Sequence, residues 1–115
     1  MDAITLSLGL RLKNTSNLRE HWSARAKRAA HQRGLTRLAV AAANARTLLP
    51  CVVTMTRVSA RQFDFDGLVC AMKACRDGVA DGLGLPDDNN QQVAFAYAWR
   101  RGTPEHVEIA IERQT

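Results

Sequence analysis

Ile4, Leu6, Leu8, Leu10 and Leu12 alternate with Thr5, Ser7, Gly9 and Arg11, and a period of two places successive side chains on opposite faces of an extended chain. The N-terminus is therefore expected to be a strand with one buried and one polar face. Asn14 to Asn17 interrupts the alternation, and Asn17 followed three residues later by Glu20 has the form of a capping box opening a helix. That helix is expected to run to about Arg46, with Gly34 as a weak point and Pro50 as a stop.

Cys51 to Phe65 begins β-branched and threonine-rich and is expected to form a strand ending in Phe63, Asp64, Phe65 and Asp66. A helix from Gly67 to about Leu83 follows, with Leu68, Met72, Cys75, Val79 and Leu83 on one apolar stripe. A loop from Gly84 to Asn90 comes next. Val93, Phe95, Tyr97 and Trp99 alternate with alanines, and Val107, Ile109 and Ile111 alternate with mostly polar residues. Arg101 to Glu105, containing Gly102 and Pro104, is expected to join these two strands as a hairpin. The order β, α, β, α, β, β predicts an α+β fold, a mixed or antiparallel sheet of about four strands with two main helices.

At 115 residues, 46% of them apolar, the chain can close one hydrophobic core but not two, so a single domain over 1–115 is expected. No stretch approaches the roughly 20 apolar residues that span a bilayer, and the expectation is a soluble, cytoplasmic protein. Cys51, Cys70 and Cys75 form no CxxC pair and have no histidines at zinc-finger spacing. They are expected to be small buried apolar residues.

The net charge of +5 is unevenly placed. Residues 1–62 hold eleven Lys and Arg against Asp2 and Glu20, a net of +9, whereas residues 63–115 hold five against nine, a net of −4. A metal-dependent enzyme acting on nucleic acid needs this division, one surface attracting phosphates while another concentrates carboxylates; ordinary solvated charge also permits it. The first helix carries Arg19, Arg25, Lys27, Arg28, Arg33 and Arg37 with Glu20 as its only acid, and such a face can track DNA phosphates or simply confer solubility. Arg19, Arg25, Lys27, Arg28 and Arg33 are the candidate DNA contacts. Trp22 is expected to pack against the sheet, and Tyr97 and Trp99 to serve the core or a dimer contact.

In a strand, residues two apart share a face about 6.5 Å apart, so Phe63 and Phe65 are expected in the core, with Asp64 and Asp66 presented outward together. Paired carboxylates suit a hard cation such as Mg²⁺. At 100° per residue Asp66, Lys73 and Asp77 fall on the helix side opposite the apolar stripe, although Lys73 and Asp77 alone also fit a plain i,i+4 ion pair. Asp87, Asp88, Asn89 and Asn90 add a cluster that could supply a third ligand or only shape a turn.

Together and in this order the features match a family. The run from Phe63 to Asp88, FDFDGLVCAMKACRDGVADGLGLPDD, resembles the RusA-like Holliday-junction resolvases: a DxD ending a strand, a helix with an inward lysine, and a double aspartate beyond it. The run from Asn17 to Arg33, NLREHWSARAKRAAHQR, is similar to the basic helix of phage and prophage members. With the terminal strands, the resemblance covers nearly the whole chain. It implies a homodimeric endodeoxyribonuclease of DNA recombination and repair that binds four-way or other branched DNA and makes paired cuts with Mg²⁺ or Mn²⁺. It also implies that Asp64, Asp66 and Asp88 hold the metal, that Lys73 is the catalytic lysine, and that Asp77 supports the site.

This chain departs from the family pattern in two places. Gly67 stands where Asn is usual, removing a side chain that could cap the helix, and Lys73 lies one helical turn further from Asp66 than in the family's prototype, a change that returns it to nearly the same face. A branched-DNA-binding module of the same fold with weakened or lost catalysis is the alternative that Gly67 suggests. A small assembly protein whose carboxylates only solvate a loop is a third.

Overall fold

A computed structural model describes residues 2–13 and 20–114. Cys51, Val53 and Met55 in β2 (Cys51–Ser59) are fully buried, and this strand organises the sheet. It pairs in parallel with β3 (Val93–Arg101) on one side and antiparallel with β4 (His106–Arg113) on the other, and β1 (Ala3–Leu8) closes the far edge against β4. The order β1-β4-β2-β3 makes a four-stranded mixed sheet. With helices α1 (Trp22–Ala42) and α2 (Phe65–Gly82), it gives the expected α+β domain.

The alternating patterns are realised as buried rows. Ile4 faces Ile111, Leu6 faces Ile109 and Leu8 faces Val107 across β1 and β4, and Val107, Ile109 and Ile111 are wholly excluded from solvent. Hydrogen bonding ends at Leu8, but the burial continues through Leu10 and Leu12. The stripe Leu68, Met72, Cys75, Val79 and Leu83 is buried throughout and joins Val40, Val53, Met55 and Ile109 in one core.

Several elements differ from the expectation. β3 and β4 do not form a hairpin, because β2 lies between them. A parallel β2–β3 pair needs a crossover, which α2 provides, and β4 then takes the free side of β2. The connection at 102–105 crosses the end of β2: the Gly102 N–H donates to Ser59 O, and a Cβ there would stand 2.6 Å from Val58 Cγ1.

β2 stops at Ser59, six residues before the expected Phe65, because the Ser59 hydroxyl and Arg57 Nη1 both donate to Arg61 O and turn the chain out of the sheet. α1 ends at Ala42 rather than near Arg46; Asn44 takes the left-handed conformation (φ 55°), which Asn tolerates, and a single 3₁₀ turn, Ala45–Leu48, leads to Pro50. Asn17 of the expected capping box lies outside the described residues, and the helix opens at Trp22, with His21 Nδ1 accepting from the Ser23 N–H. Trp22 does not pack on the sheet. It is 75% exposed, since the inward face of α1 begins only at Gln32, about 15 Å further along the axis.

The helices meet through two glycines of α2 one turn apart. A Cβ at Gly78 would lie 2.5 Å from Arg33 O, and one at Gly82 2.7 Å from Val40 Cβ. Arg33 then closes over this seam, with Nε and Nη2 donating to Asp81 at 2.6 and 3.0 Å.

The seam predicts opposite outcomes for two glycine substitutions. Gly78→Ala meets backbone and should cost about 1–3 kcal/mol, whereas Gly34→Ala, with nothing within 4 Å of the added methyl, should stabilise α1 by about 0.5–1 kcal/mol. Urea unfolding of the two variants measures both signs.

Candidate active site

The two aspartates of the DxD are not side by side on a strand, as the sequence suggests. Asp64 is the N-cap of α2, its Oδ1 accepting the Gly67 N–H at 2.6 Å, and Asp66 sits exposed in the first helical turn. Asp is among the strongest N-capping residues, so once β2 has ended, helix initiation decides the conformation. Gly67 therefore offers the very backbone donor that Asp64 caps. The phenylalanines differ from expectation too. Phe63 is half-buried beneath the Arg57 guanidinium, 3.6 Å from the ring centre, but Phe65 is 66% exposed, edge-on to Tyr97.

Lys73 and Asp88 do come together. Lys73 Nζ donates to Asp88 Oδ2 at 2.7 Å and to Asp77 Oδ1 at 2.9 Å. Asp88 reaches this position because the chain doubles back after α2. Gly84 takes φ +75°, the Gly84 and Leu85 N–H groups donate to Asp81 O and Ala80 O, and this Schellman-type ending sends the loop along the helix. Asp87 and Asn90 shape the turn, accepting from the N–H groups of Asn89 and Gln92.

Arg76, which no sequence pattern singled out, approaches the same carboxylate oxygen of Asp88 as Lys73 does. Its Nε lies 2.8 Å from Asp88 Oδ2, its Nη1 donates to Tyr97 Oη at 2.9 Å, its Nη2 to Asn89 Oδ1 at 3.3 Å, and its guanidinium covers the Phe95 ring at 4.4 Å. The only sequence clue was its place one turn after Lys73. The Arg76 side chain is 24% exposed and that of Lys73 59%, so the two cations on Asp88 differ: one is anchored on several partners, the other is a solvated ammonium. The Lys73 ammonium holds the Asp88 carboxyl below its usual range, while Asp88 first and Asp77 second raise Lys73.

Asp66 has no hydrogen bond or ion pair among the described residues and is seven residues before Lys73, about 10 Å along the axis. Among the described residues no three carboxylate, His or Cys groups gather as a metal-binding set. Carboxylates are the ligand type a magnesium ion takes, one or two at a time with water completing the shell. Asp66 is unengaged, Asp64 has its second oxygen to offer, and Asp88 is held by Lys73 and Arg76.

A cleft of about 660 Å³ runs between α1 and α2, with Lys13, Arg25, Arg28, Arg33 and Lys73 among its lining. It sorts the candidate DNA contacts. Arg25, Arg28 and Arg33 border it, Lys27 does not, and Arg19 lies outside the described residues. Arg28 also clamps Glu20, whose pKa the Arg28 hydrogen bonds bring down to about 2. Cys51 and Cys75 are buried as expected, but Cys70 is exposed in this cleft, because it lies on α2 off the apolar stripe.

No family model and no curated protein matches this chain. Among the described residues no helix is long and apolar enough to cross a membrane.

The Asp88 pair makes stability depend on acid. A carboxyl held below its unfolded value contributes above that value, near 3.8, and the contribution fades as pH falls through the folded pKa. Carboxyl NMR titration should place Asp88 below 3.8 in the wild type and higher in Lys73→Met, with Arg76→Gln also raising it.

Proposed function

We propose that this chain is a RusA-like endodeoxyribonuclease that resolves Holliday junctions or other branched DNA by paired, metal-dependent phosphodiester hydrolysis. In this reading it acts as a homodimer in the cytoplasm of a bacterial host, with a phage or prophage origin suggested by the resemblance. One observation carries the reading: Lys73 belongs at once to the cationic cleft and to the acid cluster, bonded to Asp88 and Asp77. A strand drawn along the cleft arrives at the lysine that adjoins the acids.

Each residue then has a role. Arg25, Arg28 and Arg33 take phosphates, releasing counterions. Asp64, Asp66 and Asp88 would hold the Mg²⁺ or Mn²⁺, which when bound would supply Lewis-acid polarisation of a phosphate oxygen and a water of lowered pKa. Lys73 places positive charge beside the phosphate as charge builds in the transition state. Arg76 keeps Asp88 aimed, because its contacts to Tyr97, Asn89 and Phe95 do not depend on Lys73. A twofold dimer would suit the approximate twofold symmetry of a junction, each protomer cutting one strand.

One observation favours a second reading, a branched-DNA-binding module without cleavage: Asp88 is already neutralised by two cations.

A labelled synthetic four-way junction, beside matched duplex, incubated in Mg²⁺, Mn²⁺ and EDTA, separates the two. Paired nicks in the junction alone, dependent on metal and reduced roughly a hundredfold or more in Asp66→Asn, are the expected result. Junction binding without nicks under either metal would establish the binding module. Arg25→Gln should weaken junction affinity and lower its salt slope by about 1.

A further inference from the structure

The cleft between α1 and α2 has a floor as well as a rim, and the cleavage chemistry leaves the floor unexplained. Ala29, Val69, Cys70 and Ala74 line it with short apolar groups, around Gln32 and Ala71, the buried members of the lining. Asp77 is the one acid in the lining, against five cations. Acids outside the cleft hold some of those cations in place: Glu20 holds Arg28, and Asp81 holds Arg33. A guanidinium has five N–H donors and an ammonium three, so each keeps donors after serving its acid. The volume, about 660 Å³, is in the range of small-ligand sites.

An apolar floor ringed by fixed cationic donors is complementary to a ligand with a flat, weakly polar face and an anion attached to it. An unpaired nucleotide is such a ligand: its base can cover the floor while its phosphate meets the rim. In duplex DNA both faces of each base are occupied by its stacked neighbours, so a paired nucleotide cannot use the floor. We propose that the cleft between α1 and α2 binds an unpaired nucleotide of single-stranded or splayed DNA, its base on the Ala29–Val69–Cys70–Ala74 floor and its phosphate on Arg25, Arg33 and Lys73. This rests on the reading that the chain binds branched DNA and names the part of that DNA which the cleft holds.

Cys70 reports on the floor directly, since it is exposed there while Cys51 and Cys75 are buried. The full chain, in EDTA and low salt, is alkylated with iodoacetamide and followed by intact mass. It is tested alone, with oligothymidylate, with a forked duplex bearing single-stranded arms, with blunt duplex at equal phosphate, and with polyglutamate. Oligothymidylate and the fork, each at about ten times its Kd, should slow alkylation by about tenfold, as occupancy of the site requires, and high salt should abolish the protection. Blunt duplex should protect less than about twofold. Ala74→Leu, which fills the floor without offering an aromatic face, should weaken oligothymidylate binding by roughly tenfold with an unchanged circular dichroism spectrum and unchanged duplex affinity.

Equal protection by blunt duplex would overturn the proposal, as would protection by polyglutamate alone, which would assign the cleft to an acidic protein segment. So would full reactivity of Cys70 while the forked duplex is bound. Because EDTA removes cleavage, the two readings fail separately. A chain that cuts junctions while oligothymidylate and the fork leave Cys70 unprotected loses the nucleotide site and keeps the nuclease. One that is protected but inert in Mg²⁺ and Mn²⁺ does the reverse, and one that binds none of these DNAs loses both.

Discussion

Everything in this fold follows from β2 having two different neighbours, β3 parallel and β4 antiparallel. A parallel neighbour cannot be reached by a tight turn, so the chain between Ser59 and Val93 must cross over the sheet, and α2 is that crossover. The helix starts where β2 ends and finishes a loop away from β3. Its first turn consequently carries Asp64 and Asp66, and its return loop carries Asp88. Antiparallel β4 fills the other side of β2 and brings β1 with it, so β1 and β4 complete the buried rows beneath the helices.

The charged groups are distributed over this frame in a second layer of organisation. The return loop does not leave α2 at its end but runs back to the level of Lys73 and Arg76, where both cations meet one carboxylate. In the same way Arg33 ties α1 to α2 through Asp81, across a seam made narrow by Gly78 and Gly82. The closeness of the helices and the cleft beside them are thus linked: where the glycines let the backbones touch there is no groove, and toward the start of α1, ahead of that contact, the groove opens. A wedge between the helices would change cleft and seam together.

Period-two and period-four patterns made most of the architecture legible. The rows of β1 and β4 and the stripe of α2 fell on the core because nothing competed with burial there. The reading failed where local hydrogen bonding competed with periodicity. Phe63 to Asp66 alternates like a strand, yet Asp64 caps a helix. Val93 to Ile111 alternates like a hairpin, yet the strands are parted by β2, a nonlocal fact that no short window contains. In the site, Lys73 and Asp88 were singled out by the family resemblance, and their ion pair depends on the return loop doubling back along α2. Arg76 was not, because its significance lies in Tyr97, Asn89 and Phe95 converging on it from elsewhere in the sequence. Trp22 was misjudged for want of knowing where the inward face of α1 begins.

Asp64 carries a structural load that Asp66 does not share. Its carboxylate starts a helix, and that requirement is met equally by Asn and nearly so by Ser or Thr. A change at position 66 would therefore leave the start of α2 intact, while position 64 would stay among the helix-starting residues for the sake of folding alone. An aspartate at 64 is accounted for by how α2 begins, and position 66 is the one whose identity folding leaves open.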